Sequence, residues 1–367
     1  MIRVLVVDDS AFVRMAIVDI LKRAGDIEVV GTAKNGKEAV EKAIKLKPDV
    51  ITLDVNMPVM DGLTALKLIM EKQPTIVIML SALTKEGAME TFEALKLGAV
   101  DFITKPHGQF NQDLSDIEDE IISKIRNVYN SSPNILRLYN LKKFKGDVVR
   151  GEWNCSNKRE LCLLVGSSTG GPSALEQVIP RLPSDLPAVV LVVQHMPKGG
   201  FSEQLAERLN SQSELEVKEA ENNEKVRKGV VYIAPSGYHM KVRESLGVRR
   251  IKVVEGKPVN AVIPSVDVTA ESVVKVYRGN TVGVILTGMG NDGAYGMKLI
   301  KDAGGLNIAC SEDTCVVFGM PKAAIEIGAI HSVKPLYEIA EEIVRFLEVK
   351  CNGNRHGRVQ ARVSAGV

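Results

Sequence analysis

The chain has 367 residues, 45% of them apolar, which is enough to bury more than one core, and Lys+Arg 47 against Asp+Glu 45 leaves a formal net charge of +2. That balance, with no helix-turn-helix or zinc-finger spacing, offers no electrostatic footprint for nucleic acid, and no nucleic-acid partner is expected. Five scattered cysteines without a CxxC argue against a disulfide framework and a zinc site. The start MIRVLVVDDS lacks a signal-peptide pattern and no apolar run reaches the ~20 residues of a membrane span, so a cytoplasmic protein that is not membrane-inserted is expected.

From the N-terminus, apolar runs at Val4–Val7, Val29–Gly31, Val50–Leu53, Ile76–Leu80 and Asp101–Ile103 alternate with helix-period segments at Ala11–Arg23, Gly36–Lys45, Gly62–Glu71 and Gly87–Leu97. Continuous apolar strands between amphipathic helices predict an α/β domain over residues 1–128. Its sheet is parallel and covered on both faces, with ligands at the strands' carboxyl ends. A fifth helix is expected over Asp113–Val128, where Leu114, Ile117, Ile121, Ile125 and Val128 keep helical spacing. Residues 129–158 lose the pattern and read as an interdomain linker. A second α/β domain follows over 159–350, doubly wound and mostly parallel. Its strands fall at Leu161–Val165, Ala188–Val193, Val230–Ala234, Val282–Leu286 and Leu306–Ala309, with antiparallel character around Tyr238–Val254. The basic tail 351–367 has no periodicity and is expected to be disordered.

In the first domain Asp8 and Asp9 sit just past the first strand and Asp54 just past the third. Adjacent central strands would bring these three carboxylates together, an unfavourable arrangement unless a hard cation such as Mg²⁺ joins them. Ser81 ends the fourth strand and Lys105 follows the fifth, adding a hydroxyl and an ammonium at the same rim. A carboxylate nucleophile, a metal, a hydroxyl and a cation make up a phosphoryl-acceptor site. The alternative, that Asp8 and Asp9 are solvated loop acids, does not account for five such residues at separate strand ends.

The segments VVDDS, LDVNMPVMDG, Ser81 and DFITKP resemble the receiver domain of two-component response regulators. The resemblance implies a flavodoxin-like (βα)5 fold, Asp54 as phospho-acceptor, and Asp8, Asp9 and Asp54 as magnesium ligands. It also implies Ser81 and Lys105 as phosphoryl contacts, Phe102 as a switch aromatic, and a cis bond before Pro106.

In the second domain the strand Leu161–Val165 runs into Gly166-Ser167-Ser168-Thr169-Gly170-Gly171-Pro172 and then a helical pattern. Gly166-x-Ser168-x-Gly170 fits a nucleophile elbow, where glycines permit a tight turn and the following helix start offers N–H groups to an oxyanion. A Walker phosphate loop would need Lys-Ser/Thr where Pro172 stands. A serine nucleophile needs a base, and His195 follows the strand Ala188–Val193 directly. His239 reads as structural, position alone does not remove His331, and His356 lies in the tail. The orienting carboxylate would be Asp292, in TGMGNDGA, or its rival Asp267. The order Ser–His–Asp differs from that of α/β-hydrolases, but order is not diagnostic.

Gly288-Met289-Gly290-Asn291-Asp292-Gly293 also matches GxGxxG after a strand, with Glu312 about twenty residues on, as in a dinucleotide fingerprint. Against nicotinamide binding, Asp292 puts a carboxylate in the loop that would meet the pyrophosphate, and Ser168 is left unexplained.

Together GSSTGG, QHMP, LTGMGNDGA and VFGMPKAA resemble the catalytic domain of the chemotaxis protein-glutamate methylesterases, which share the receiver–linker–esterase order. The resemblance implies Ser168 as nucleophile, His195 as base then acid, and Asp292 orienting His195. It places oxyanion contacts at the backbone N–H groups of Thr169 and Met289, with no cofactor for the ester chemistry. It further implies hydrolysis of glutamyl methyl esters and deamidation of glutamines on chemoreceptors, and a chemotaxis histidine kinase as phosphodonor. Phosphorylation of Asp54 is expected to lift the receiver's restraint on the esterase. One departure is Asn260-Ala261-Val262-Ile263, where many relatives carry polar or basic side chains before the Pro-Ser-Val-Asp. A receiver-controlled oxidoreductase and a non-catalytic output module are the alternatives.

Overall fold

The computed structural model describes residues 1–105, 114–131, 146–153 and 160–352. It divides into two compact units, Met1–Lys142 and Lys143–Val367. The Lys105–Pro106 bond, His356 and the tail beyond Asn352 fall outside the described residues.

In the first unit, strands β1 (Ile2–Val7), β2 (Ile27–Ala33), β3 (Val50–Asp54), β4 (Ile76–Ser81) and β5 (Asp101–Thr104) alternate with α1 (Ala11–Arg23), α2 (Gly36–Leu46), α3 (Gly62–Lys72), α4 (Lys85–Leu97) and α5 (Leu114–Asn130). The sheet order is β2-β1-β3-β4-β5 and every pairing is parallel, the flavodoxin-like arrangement. Strands β3 and β4 are buried along their whole length, which is why their sequences (VITLD and IVIMLS) are mostly apolar rather than alternating. Each of α1 to α4 starts on a side-chain cap: Ser10, Asn35, Asp61 and Thr84 accept from the N–H three residues on.

The second unit contains a seven-stranded sheet, ordered β14-β13-β12-β6-β7-β9-β8. Its strands are β6 (Leu161–Ser167), β7 (Ala188–Gln194), β8 (Glu216–Glu219), β9 (Val230–Ile233), β12 (Thr281–Ile285), β13 (Leu306–Cys310) and β14 (Ser332–Lys334), all parallel. A separate antiparallel hairpin joins β10 (His239–Ser245) to β11 (Val248–Val254), at the segment where antiparallel pairing is expected. Helices are α6 (Gly171–Val178), α7 (Phe201–Asn210), α8 (Val266–Tyr277), α9 (Ala294–Asp302), α10 (Met320–Glu326) and α11 (Ile339–Asn352).

Sequence reading misses β8 and β14. Both are short, lie at the sheet's edges and are polar (EVKE and SVK), because an edge strand buries little and leaves no apolar run to detect. Residues 146–153, inside the stretch read as linker, lie on the second unit: Val149 N–H donates to Arg181 O at 2.8 Å, and Glu152 N–H to Glu348 at 2.8 Å. Cys162, Cys310 and Cys315 are free and buried, whereas Cys351 is disulfide-bonded, a bond that the scattered cysteine pattern does not foreshadow. Among the described residues no helix is long and apolar enough to cross a membrane.

Candidate active sites

Parallel pairing puts the ends of β1 and β3 side by side, and there the carboxylates of Asp8, Asp9 and Asp54 offer oxygens all within 4.8 Å of one another. Lys105 Nζ reaches in from the end of β5, 2.8 Å from Asp8 and 2.7 Å from Asp54. Burial pushes the Asp54 carboxyl up to about 6. Lys105 holds it down in part, and the charges of Asp8 and Asp9 add to the rise. Asp54 Oδ2 is buried without a hydrogen-bond partner. An all-oxygen donor set with an unspent buried carboxylate oxygen fits a hard divalent cation.

Ser81 stands at the same rim, but its hydroxyl faces α4. It donates to Gly87 O at 3.0 Å and accepts from Thr91 Oγ1 at 2.8 Å. Phe102 is buried, its ring under the Lys124 ammonium at 5.5 Å.

In the second unit β6 lies between β12 and β7, at the point where the connections turn from one side of the sheet to the other. Ser168 follows β6 directly. Its N–H donates to Thr287 O at 3.0 Å and its carbonyl accepts from Gly171 N–H at 2.7 Å, which closes the tight turn. Gly170 takes φ +74° and α6 begins behind it with Pro172 in the first turn. A Cβ on Gly288 would sit 2.8 Å from Ser168 Cβ, so the glycine lets the loop after β12 press against Ser168. Two glycines of the apparent dinucleotide fingerprint thus have other uses, since Gly293 opens α9 at φ +91°.

His195 follows β7, one position past the Ser167–Gln194 pair, and its N–H donates to Ser167 O at 3.0 Å. Its Nε2 lies 2.9 Å from Asp292 Oδ2, while Nδ1 is buried with no hydrogen-bond partner. Asp292 is 2% exposed and accepts from four groups. Its Oδ1 takes Ser265 Oγ at 2.7 Å and Asn260 Nδ2 at 2.9 Å, and its Oδ2 takes Val266 N–H at 2.6 Å besides His195. Burial pushes its carboxyl up, but His195 and these donors outweigh burial and hold it below the ordinary value.

The rival Asp267 contacts the backbone N–H groups of Gly293 and Gly296 and the Asn260 amide, and not His195. His239 is spent on backbone: Nδ1 accepts from Ser265 N–H at 3.3 Å and Nε2 lies 3.0 Å from Lys257 O. His331 accepts from Asn307 N–H in β13, and burial pushes it down to about 4. Thr169 is buried, and its N–H donates to no protein acceptor among the described residues. Met289 is half-buried one residue past Gly288.

Sequence reasoning missed Gln194. This buried side chain accepts from Ser167 Oγ at 2.6 Å and donates 2.9 Å bonds to Ser168 O and His195 O, tying the two strand ends together. The signal was present: a lone amide closing an apolar strand beside a histidine must find partners once buried. Ser265 was also missed; it caps α8 and bonds Asp292 with one hydroxyl.

Two parallel sheets thus carry two different strand-end sites. One is a cluster of three carboxylates with a lysine; the other sets a bonded histidine–aspartate pair at the strand end beside that of Ser168. Family models agree with that division. Residues 4–114 match the response regulator receiver domain and residues 163–343 match the CheB methylesterase. The chain is 73% identical to a protein-glutamate methylesterase/protein-glutamine glutaminase of Archaeoglobus fulgidus over 95% of this chain and 99% of that protein. It is 49% identical to the one of Thermotoga maritima, over 94% and 98%. The crystal structure of the Thermotoga maritima CheB methylesterase catalytic domain superimposes with a TM-score of 0.50 at 46% identity, covering 51% of this chain and 98% of that one. This chain belongs to the protein-glutamate methylesterase/protein-glutamine glutaminase family, with an N-terminal response-regulator receiver domain. The oxidoreductase alternative is not favoured.

Proposed function

We propose that the protein hydrolyses glutamyl methyl esters, and deamidates glutamines, on chemoreceptors through a Ser168–His195–Asp292 triad controlled by phosphorylation of Asp54. The observation that carries the triad is the imidazole's orientation. With Nε2–H donated to the Asp292 carboxylate, the lone pair stands on Nδ1, the buried nitrogen without a partner. No hydrogen bond joins Ser168 Oγ to His195 among the described residues, so Nδ1 takes the Ser168 proton only once bound substrate brings the two within reach. The roles of the two ring nitrogens are reversed from the serine-protease arrangement, which the chemistry permits because either nitrogen is a competent base.

Ser168 Oγ attacks the ester carbonyl as His195 Nδ1 accepts its proton, and the carbonyl oxygen becomes an oxyanion. The N–H of Ser168 is committed to Thr287 O, so the neighbouring Thr169 N–H receives the oxyanion, and the family resemblance adds the N–H of Met289. The C–O bond then breaks and methanol leaves with the proton from His195. Water adds to the acyl-serine by the same route, releasing glutamate. Asp292 stays ionised throughout, held so by its donors.

In the receiver, Asp8, Asp9 and Asp54 would hold Mg²⁺, which supplies charge neutralisation for transfer of a phosphoryl group to Asp54 from a chemotaxis histidine kinase. Ser81 reaches that group only after its hydroxyl leaves Gly87.

Methanol release from methylated receptor membranes, with and without a small phosphodonor, tests this reading. Ser168→Ala is expected to abolish release and Asp54→Asn to remove the phosphodonor response. Retained release in Ser168→Ala would refute the triad.

A further inference from the structure

The loop between β11 and α8 makes a two-residue turn. Val259 and Val262 exchange backbone hydrogen bonds of 3.0 and 3.1 Å, with Asn260 and Ala261 between them at φ +53° and +64°. Asparagine enters the left-handed region more readily than most residues, and here Asn260, an exposed residue, turns its amide toward two carboxylates. Nδ2 donates to Asp267 Oδ2 at 2.8 Å and to Asp292 Oδ1 at 2.9 Å. An amide NH2 has two hydrogens, and each goes to a carboxylate on a different element. The opposite flip would point a carbonyl oxygen at two anions, so the amide's direction is set by its surroundings.

Both carboxylates are almost fully buried. The remaining contacts of Asp267, from Gly293 N–H at 3.0 Å and Gly296 N–H at 2.7 Å, are donors too, so its surroundings are built for an anion. Burial nonetheless pushes Asp267 up, and the charge of Asp292 adds to that. Two like charges in one buried site repel, and without a shared donor one of them must neutralise or move.

We infer that Asn260 is a positioning residue of the esterase: it bridges Asp267 and Asp292, offsets their repulsion, and so keeps Asp292 ionised and aimed at His195. Asn260 acts through Asp292 and carries no bond-making role of its own. This inference rests on the Ser168–His195–Asp292 reading. It also gives the turn a function that its apolar neighbours Ala261, Val262 and Ile263 do not supply.

The test uses the full-length protein, purified receptor membranes and methanol release. Asn260→Gly keeps the positive-φ turn and removes the amide. It is expected to lower kcat about ten- to a hundredfold while KM stays within about twofold, as for loss of a charge-assisted hydrogen bond that matters as His195 becomes charged. Asp267→Asn introduced into the Asn260→Gly background removes the uncompensated charge and is expected to restore kcat about tenfold. Asn260→Asp, a near-isostere that adds a third carboxylate, is expected to lose more kcat than Asn260→Gly and also to be relieved by Asp267→Asn. Wild-type kcat in Asn260→Gly, or a loss that Asp267→Asn does not relieve in either background, would overturn the inference. Ser168→Ala, assayed alongside, separates the two claims: if it is inactive while Asn260→Gly is normal, only the Asn260 assignment fails.

Discussion

Converting Asp54 to asparagine removes a charge that the folded receiver holds against its own preference. Burial raises this carboxyl from 3.8 to about 6, with Lys105 opposing the rise and Asp8 and Asp9 adding to it. A carboxyl whose folded pKa exceeds its unfolded value contributes stability below the unfolded pKa, near 3.8, and that contribution is lost as pH rises through about 6. Above that window the native state carries a burden of about two pKa units, a ceiling of about 3 kcal/mol. Asp54→Asn is therefore expected to raise the Tm of the metal-free receiver domain by roughly 5–10 °C at pH 7.5, and by less than about 2 °C at pH 4. Scanning calorimetry of the full-length protein in chelator between pH 4 and 8 resolves this, with the receiver transition identified by its response to Mg²⁺. Added Mg²⁺ should narrow the gap by stabilising the wild type more, since the ion compensates the three carboxylates. An equal Tm increment at pH 4 and 7.5, or a destabilised variant at pH 7.5, would refute the reasoning. It would mean that the Lys105 ion pair outweighs desolvation.

Asp292→Asn, which cannot hold the Nε2–H tautomer of His195 in the same way, is expected to lower kcat about 10⁴-fold with little change in KM, measured by methanol release. His239→Ala should instead lower Tm and leave the turnover of the folded protein close to wild type, because its bonds run to Ser265 N–H and Lys257 O. Gly288→Ala places a methyl 2.8 Å from Ser168 Cβ and 2.3 Å from Met320 Sδ, so kcat should fall at least tenfold at unchanged secondary structure by circular dichroism. Deleting residues 1–142 should raise basal ester hydrolysis, and an unchanged rate in a folded fragment would count against restraint by the receiver.

Much of the catalytic geography is legible in the sequence because of one rule: parallel α/β sheets collect functional residues at the carboxyl ends of their strands. Asp8, Asp54, Ser81, Lys105, Ser168 and His195 each lie at or just past the end of a mainly apolar strand, so their placement at a rim needs only the strand assignments. The runs are readable because the central strands are buried on both faces. Where that condition fails, at the edge strands β8 and β14, sequence reading fails with it.

What the tertiary structure decides is partnership. Nothing in the order of residues says which carboxylate, Asp292 or Asp267, bonds His195, or that His331 bonds backbone instead. The choice depends on β6 lying between β12 and β7, which brings the loop after β12 to His195 and leaves Asp267 with the start of α9. The same holds for the fingerprint-like glycines: Gly288 looks like a nucleotide loop until Ser168 is seen against it. Gln194 and Asn260 carry only the weak signal of an amide, and an amide's role is set by which acceptors surround it once it is desolvated. The chain by itself determines which strand ends carry chemistry, because burial writes itself into apolar runs. Only the packed sheet determines which of those groups meet, because hydrogen-bond partnership depends on strand order and on distances that no local pattern records.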